Sequence, residues 1–210
     1  MKIYLFRHGE TDWNRARRLQ GQSDIPLNEA GRELAVRTSQ AVAQIPFDRA
    51  YTSPLSRARE TARILLGDRD IALEGDERLK EMHFGEHEGA DFDAAKRPGS
   101  GHPLQDFFCR PQSYVPPSGA ESIQEAMARG RAFLEEKILP LEGECENILV
   151  VAHGALNRCI LSAVAEIPLE RFWQMGLPNC AASILSLQQG KFSILEESRV
   201  YYGEEKNARP

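Results

Sequence analysis

The stretch LFRHGETDWN, Leu5–Asn14, ends an apolar run in an arginine, a histidine and a glycine. Comparable groups recur far along the chain. One set is Thr52-Ser53-Pro54-Leu55-Ser56-Arg57; another is His153-Gly154, directly after NILVVA. Two arginines and two histidines gathered without a ligand would repel one another. Gathered around an anion they make a site, because a phosphate dianion offers three oxygens that the planar guanidinium fork meets with paired, charge-assisted hydrogen bonds. An imidazole beside two guanidinium groups is held neutral, with one nitrogen lone pair free. Placed in line with phosphorus, that lone pair can attack and split one hard displacement into two easier ones through a phosphohistidine. The departing alkoxide then needs a proton, and a partly buried carboxyl is a suitable donor. Glu81, in Leu79-Lys80-Glu81, is one candidate. Glu86 and Glu88 are close by, and spacing alone does not choose among the three.

The elements that must carry these groups can be read from pattern. Lys2–Phe6, Arg49–Thr52, Ile71–Glu74 and Asn147–Ala152 read as strands, the last so continuously apolar that it fits a central parallel position. Helices are expected from Leu27 to about Gln44, with Leu34, Val36, Ala41, Val42 and Ile45 as apolar candidates, and from Ser53-Pro54 to Leu66, stopped by Gly67. Further helices fit Glu121–Leu139 and Gly154–Val164. Ala182–Leu187 and Phe192–Leu195 flank QQGK as a hairpin, and the tail from Tyr201 reads as polar and loose. Alternating strands and helices imply a mostly parallel sheet covered on both faces, with ligands beyond the carboxyl ends of the strands. Arg7-His8, Arg57 and His153 all follow such ends. Gly9 and Gly154 each succeed a histidine, where a missing Cβ permits a sharp turn or close approach.

The bulk numbers narrow the classes. With 210 residues the expected organisation is one domain over 1–210, carrying an irregular insertion around 90–118. A formal net charge of −5 argues against nucleic acid as partner, since duplex binding leaves a basic footprint. No apolar stretch reaches the ~20 residues that span a bilayer. The chain runs directly into KIYLF without an export pattern, so a cytoplasmic location is expected. Cys109, Cys145, Cys159 and Cys180 show no metal-ligand spacing and read as reduced thiols. Nothing marks a subunit interface.

Six motifs carry a family resemblance: RHGETDWN at 7–14, LQGQSDIPLNEAG at 19–31, TSPLSRARETA at 52–62, LKEMHFGEHEG at 79–89, PPSGAES at 116–122 and VVAHGALNR at 150–158. In this order they resemble the histidine phosphatase superfamily, also called phosphoglycerate mutase-like, leaving Ala90–Val115 and the last strands weakly covered. The resemblance implies a three-layer α/β/α sandwich. It makes His8 the phosphorylated nucleophile and Glu81 the proton donor, with Arg7, Arg57 and His153 as the phosphate-binding set. It adds Asn14 and Gln20 as further phosphate ligands, with backbone donors near Gly154, and implies no metal and no cofactor. Against these stand a helix or turn cap for Asn14 and a loop role for Gln20. The activity so implied is a metal-independent phosphomonoesterase acting on a small phosphorylated metabolite. A mutase uses the same residues, but mutases of that family are usually longer through the segment after the acid, where this chain is compact. A non-catalytic phospholigand sensor is the remaining class. PPSGAES resembles compact bacterial members, among them those acting on α-ribazole phosphate; phosphoserine, sugar phosphates and a broad range stay open.

Two patterns compete for attention. His83-Phe84-Gly85-Glu86-His87 fits the zinc-peptidase spacing H-x-x-E-H, which needs a helix that Gly85 disfavours. Phe107, Phe108, Tyr114 and Trp173 could equally be a pocket wall or core. There is no GxxxxGK[ST].

Overall fold

The computed structural model describes residues 1–202. Six strands form one sheet: β1 (Lys2–Arg7), β2 (Arg49–Thr52), β3 (Leu73–Gly75), β4 (Asn147–Ala152), β5 (Ala182–Gln188) and β6 (Lys191–Arg199). Their order is β3-β2-β4-β1-β5-β6. The first four pair in parallel, and β5 and β6 complete one edge antiparallel. Arg7 lies opposite Ala152 and Thr52 opposite Val151, so three carboxyl ends finish level. That register brings together residues about 100 and 150 positions apart.

The helices are α1 (Asp12–Arg15), α2 (Glu29–Ala41), α3 (Ser56–Leu66), α4 (Phe92–Lys96), α5 (Gln105–Cys109), α6 (Ile123–Phe133) and α7 (Gly154–Ala165). Side chains alternate across the sheet. Ile3, Leu5, Ile148 and Val150 pack with Phe133, Leu156 and Ile160 of α6 and α7. Tyr4, Phe6, Leu149 and Val151 face the other way, against Ala58, Ala62 and Leu65 of α3. The three layers of the expected α/β sandwich are thus each filled by the apolar faces that the strands supply. No helix among the described residues is long and apolar enough to cross a membrane.

Five local expectations are corrected. In α2 the buried stripe is Gly31, Ala35, Thr38 and then Val42, while Val36 is exposed. Contact with the turn after β1 selects that face: a Cβ on Gly9 would lie 2.6 Å from the carbonyl oxygen of Gly31. Helix α3 begins at Ser56, not at Ser53-Pro54, and Asp24 Oδ1 accepts from both the Ser56 amide and its hydroxyl at 2.8 Å. β6 runs longer than expected because it is an edge strand with much of its length exposed, which hides its pattern. The insertion is more ordered than its composition suggests. Leu104, Phe107 and Tyr114 join Leu19, Met82, Phe84, Ile123 and Phe172 in a third apolar cluster, so two short helices pack there. Tyr201, read as part of a loose tail, is buried and sits 5.9 Å from Phe6 ring to ring. The rest of that expectation, from Gly203 onward, lies outside the described residues.

Candidate active site

His8 follows the last residue of β1 and is almost fully buried. Its Nδ1 lies 2.6 Å from the carbonyl oxygen of Gly9. A carbonyl only accepts, so Nδ1 carries the proton and Nε2 keeps the lone pair. Arg57 Nε donates to that nitrogen at 3.3 Å. The Arg57 guanidinium is itself 0% exposed, and its other nitrogens donate to Ser23 O at 2.8 Å and Gly21 O at 2.7 Å. Arg57 stands in the first turn of α3, whereas Arg59 and Arg63 on the same helix are exposed. Arg7 Nη1 donates to Leu177 O at 2.6 Å, and its buried Nε has no partner among the described residues.

Burial is the largest cause that pushes the His8 imidazole well below its usual range; Arg57 and Arg7 push the same way. The sequence reading had the direction but credited the cations alone. Burial likewise lowers Arg57 to about 10, and lowers His153 well below its usual range with Arg57 and His8 contributing. His153 lies behind His8, with ring centroids 5.1 Å apart. Its Nε2 pairs with Ser53 Oγ at 2.8 Å, and Ser53 Oγ accepts from the Leu55 amide. That leaves Nδ1 buried without a partner among the described residues.

The structure separates the three glutamates. Glu81 lines the same cavity as His8 and Arg57. Its Oε1 accepts from the amides of Met82 at 2.9 Å and Leu156 at 2.8 Å, and its Oε2 from Ala155 at 3.1 Å. The first N–H groups of α7 therefore go to Glu81, and the expected supply of backbone donors near Gly154 is largely taken, although Gly154 does border the cavity. Glu88 holds the loop under Arg57 through the amides of Gln22 and Ser23, and Glu86 is exposed.

Asn14 combines both readings. Its Oδ1 accepts from Thr11 N at 3.2 Å in a capping box, yet the residue lines the cavity. Gln20 also lines it, with a buried Oε1 that has no partner among the described residues. The cavity holds about 320 Å³ and is lined by Arg7, His8, Arg57 and Glu81. Leu19, Phe84, Phe92, Phe107, Phe108 and Trp173 form its walls, and Arg18 and Lys96 are the further cations along it. Tyr114 is core. His83, Glu86 and His87 do not share an α-helix: the segment Gly85–His87 is a single 3-10 turn. His83 Nδ1 instead faces Gly119 O, and no group of three or more His, Cys, Asp or Glu among the described residues is set to hold a metal ion.

Three residues escaped the sequence reading. Asn179 Nδ2 donates to His8 O at 3.0 Å and Gly9 O at 3.1 Å, Thr61 Oγ1 accepts from Gly9 N, and Ser53 orients His153. The Asn179 contact joins residues 171 positions apart, and no local pattern announces it.

The family model for the histidine phosphatase superfamily (branch 1) matches residues 3–198, and the chain belongs to this superfamily. A probable phosphoglycerate mutase, GpmB, of Serratia proteamaculans (strain 568) is 34% identical over 189 residues, covering 90% of this chain and 86% of the relative. Among solved structures, Bacillus stearothermophilus YhfR aligns with a TM-score of 0.87 at 32% identity, over 96% of this chain and 98% of that one. The α-ribazole phosphatase of Shigella flexneri aligns with a TM-score of 0.81 at 25% identity, over 98% of this chain and 100% of that one.

Proposed function

We propose that the protein is a metal-independent phosphomonoesterase that hydrolyses a small phosphorylated metabolite through a phosphohistidine on His8. One observation carries the reading: the His8 Nε2 lone pair meets the Arg57 guanidinium in a cavity that Glu81 also borders. In the first step Nε2 attacks phosphorus, the P–O bond breaks, and Glu81 gives its proton to the leaving oxygen. In the second, water attacks the phosphorus, Glu81 takes a proton from it, and the P–N electron pair returns to His8. Arg7 and Arg57 balance the phosphoryl charge. In this mechanism the Ser53 hydroxyl, whose oxygen also accepts from the Leu55 amide, donates to His153 Nε2, and the ring proton sits on Nδ1. That N–H is a further donor for a phosphoryl oxygen, and Asn14 and Gln20 complete the set.

Leu19, Phe92, Phe108 and Trp173 make much of the cavity wall apolar, which supports hydrolysis, while Arg18 and Lys96 are the cations that would have to hold a small polyhydroxy acid for return of the phosphoryl group. Such walls suit a leaving group with a ring, in keeping with a structural relative named for α-ribazole phosphate. A mutase reading draws on the name of the sequence relative. Incubation with 3-phosphoglycerate separates the two: isomer without free phosphate would mean a mutase. On an aryl phosphate with chelator present, phosphate release is expected from the native chain and none from His8→Ala.

A further inference from the structure

Glu81 lies on a stretch with no regular structure, Lys80–His83, yet a proton donor must hold its oxygen to within a fraction of an ångström. The three amide contacts fix the carboxyl head. Something else must fix the backbone that carries it. Arg129, on α6, directs Nη1 at the carbonyl oxygens of Arg78 and Lys80, both at 2.6 Å. Its Nε and Nη2 grip the Glu121 carboxylate at 2.6 and 2.9 Å. Glu121 in turn accepts from the His83 amide at 3.3 Å, and its own amide donates to His83 O at 2.7 Å. The pair is well covered, with side chains 19% and 14% exposed, and neither residue lines the cavity. An ordinary surface ion pair contributes little. This one puts every remaining hydrogen bond described above on positions 78, 80 and 83, on both sides of the carboxylate.

We infer that Glu121 and Arg129 are positioning residues that set the reach of Glu81 to the leaving oxygen. The inference rests on the proposed role of Glu81 as the acid. A purely structural role would slow all substrates alike, whereas misplacing the acid harms only those leaving groups that need its proton. A 4-nitrophenolate leaves without help; an alkoxide does not.

The test is kcat/KM, which reports the first phosphoryl transfer, for 4-nitrophenyl, phenyl and simple alkyl phosphates in Arg129→Lys and Glu121→Gln. Thermal unfolding confirms that each is folded, and Glu121→Gln carries the test alone if Arg129→Lys is not. Expected is a loss of about tenfold or more on alkyl phosphates and under about twofold on 4-nitrophenyl phosphate, with the same trend enlarged in Glu81→Gln. Equal loss across the series, or no loss, while Glu81→Gln keeps its trend, would overturn the clamp. A flat response in Glu81→Gln would overturn the acid role, and the clamp with it.

Discussion

Arg57 shows how much one side chain is asked to do. It is fully buried, two loop carbonyls fix its plane, and its Nε meets the lone pair of His8. In the proposed mechanism its removal takes away a charge preorganised for the phosphoryl transition state, so Arg57→Ala should lower kcat by about 100- to 1,000-fold, or roughly 3–4 kcal/mol. Arg57→Lys should recover little, because an ammonium cannot reproduce the fork. Steady-state rates on an aryl phosphate decide; full turnover in Arg57→Ala would remove the assigned role. At this scale the sequence was informative wherever a residue sits in a motif. Arg7, His8, Arg57 and His153 each announce themselves by following a strand end. Ser53, Thr61 and Asn179 do not, since each acts through a contact that only the fold creates.

The junction between β1 and α2 decides where His8 is delivered. Gly9 and Gly31 touch backbone to backbone, and a Cβ on Gly31 would lie 2.1 Å from Glu10 O. Neither backbone can yield cheaply, so Gly9→Ala should cost about 1–3 kcal/mol of stability, read as a lower urea midpoint. Because His8 is the preceding residue, kcat should fall with it. An unchanged midpoint and rate would show that the junction gives way. Element existence was legible because β4 is continuously apolar and Gly67, at φ +57°, ends α3 as its residue type suggests. The face of α2 was not, because Gly31, Ala35 and Thr38 are selected by close approach and not by hydrophobicity. The ordering of α4 and α5 was hidden for a related reason. Phe107 packs against Phe84, Phe108, Tyr114, Phe172 and Trp173, partners with no shared period.

Across the whole molecule, folding places two neutral imidazoles and two guanidinium groups in one buried cluster. His8 and His153 bind a proton less readily folded than unfolded. The unfolded chain therefore takes up more protons as pH falls below about 6.5, and stability drops with it. Each histidine contributes a slope of up to about 1.4 kcal/mol per pH unit below that pH and almost none above it, so the stability is fully present above about 6.5 and lost progressively below it. Urea unfolding between pH 7.5 and 5 should show this loss, shallower in His153→Asn; an identical slope in that variant would contradict it. On the proposed reading inorganic phosphate should raise stability, since it would bind only the assembled cluster. The whole-molecule layers were readable from the alternation of strands and helices, whereas the register that brings β1, β2 and β4 to a level end is seen only in the fold. The most direct measurement is rapid quenching of turnover into alkali, followed by peptide mapping of the acid-labile phosphoryl group. A phosphorylated peptide containing His8 is expected, absent in His8→Ala. A phosphoryl group on another residue, or unimpaired turnover in His8→Ala, would contradict the mechanism.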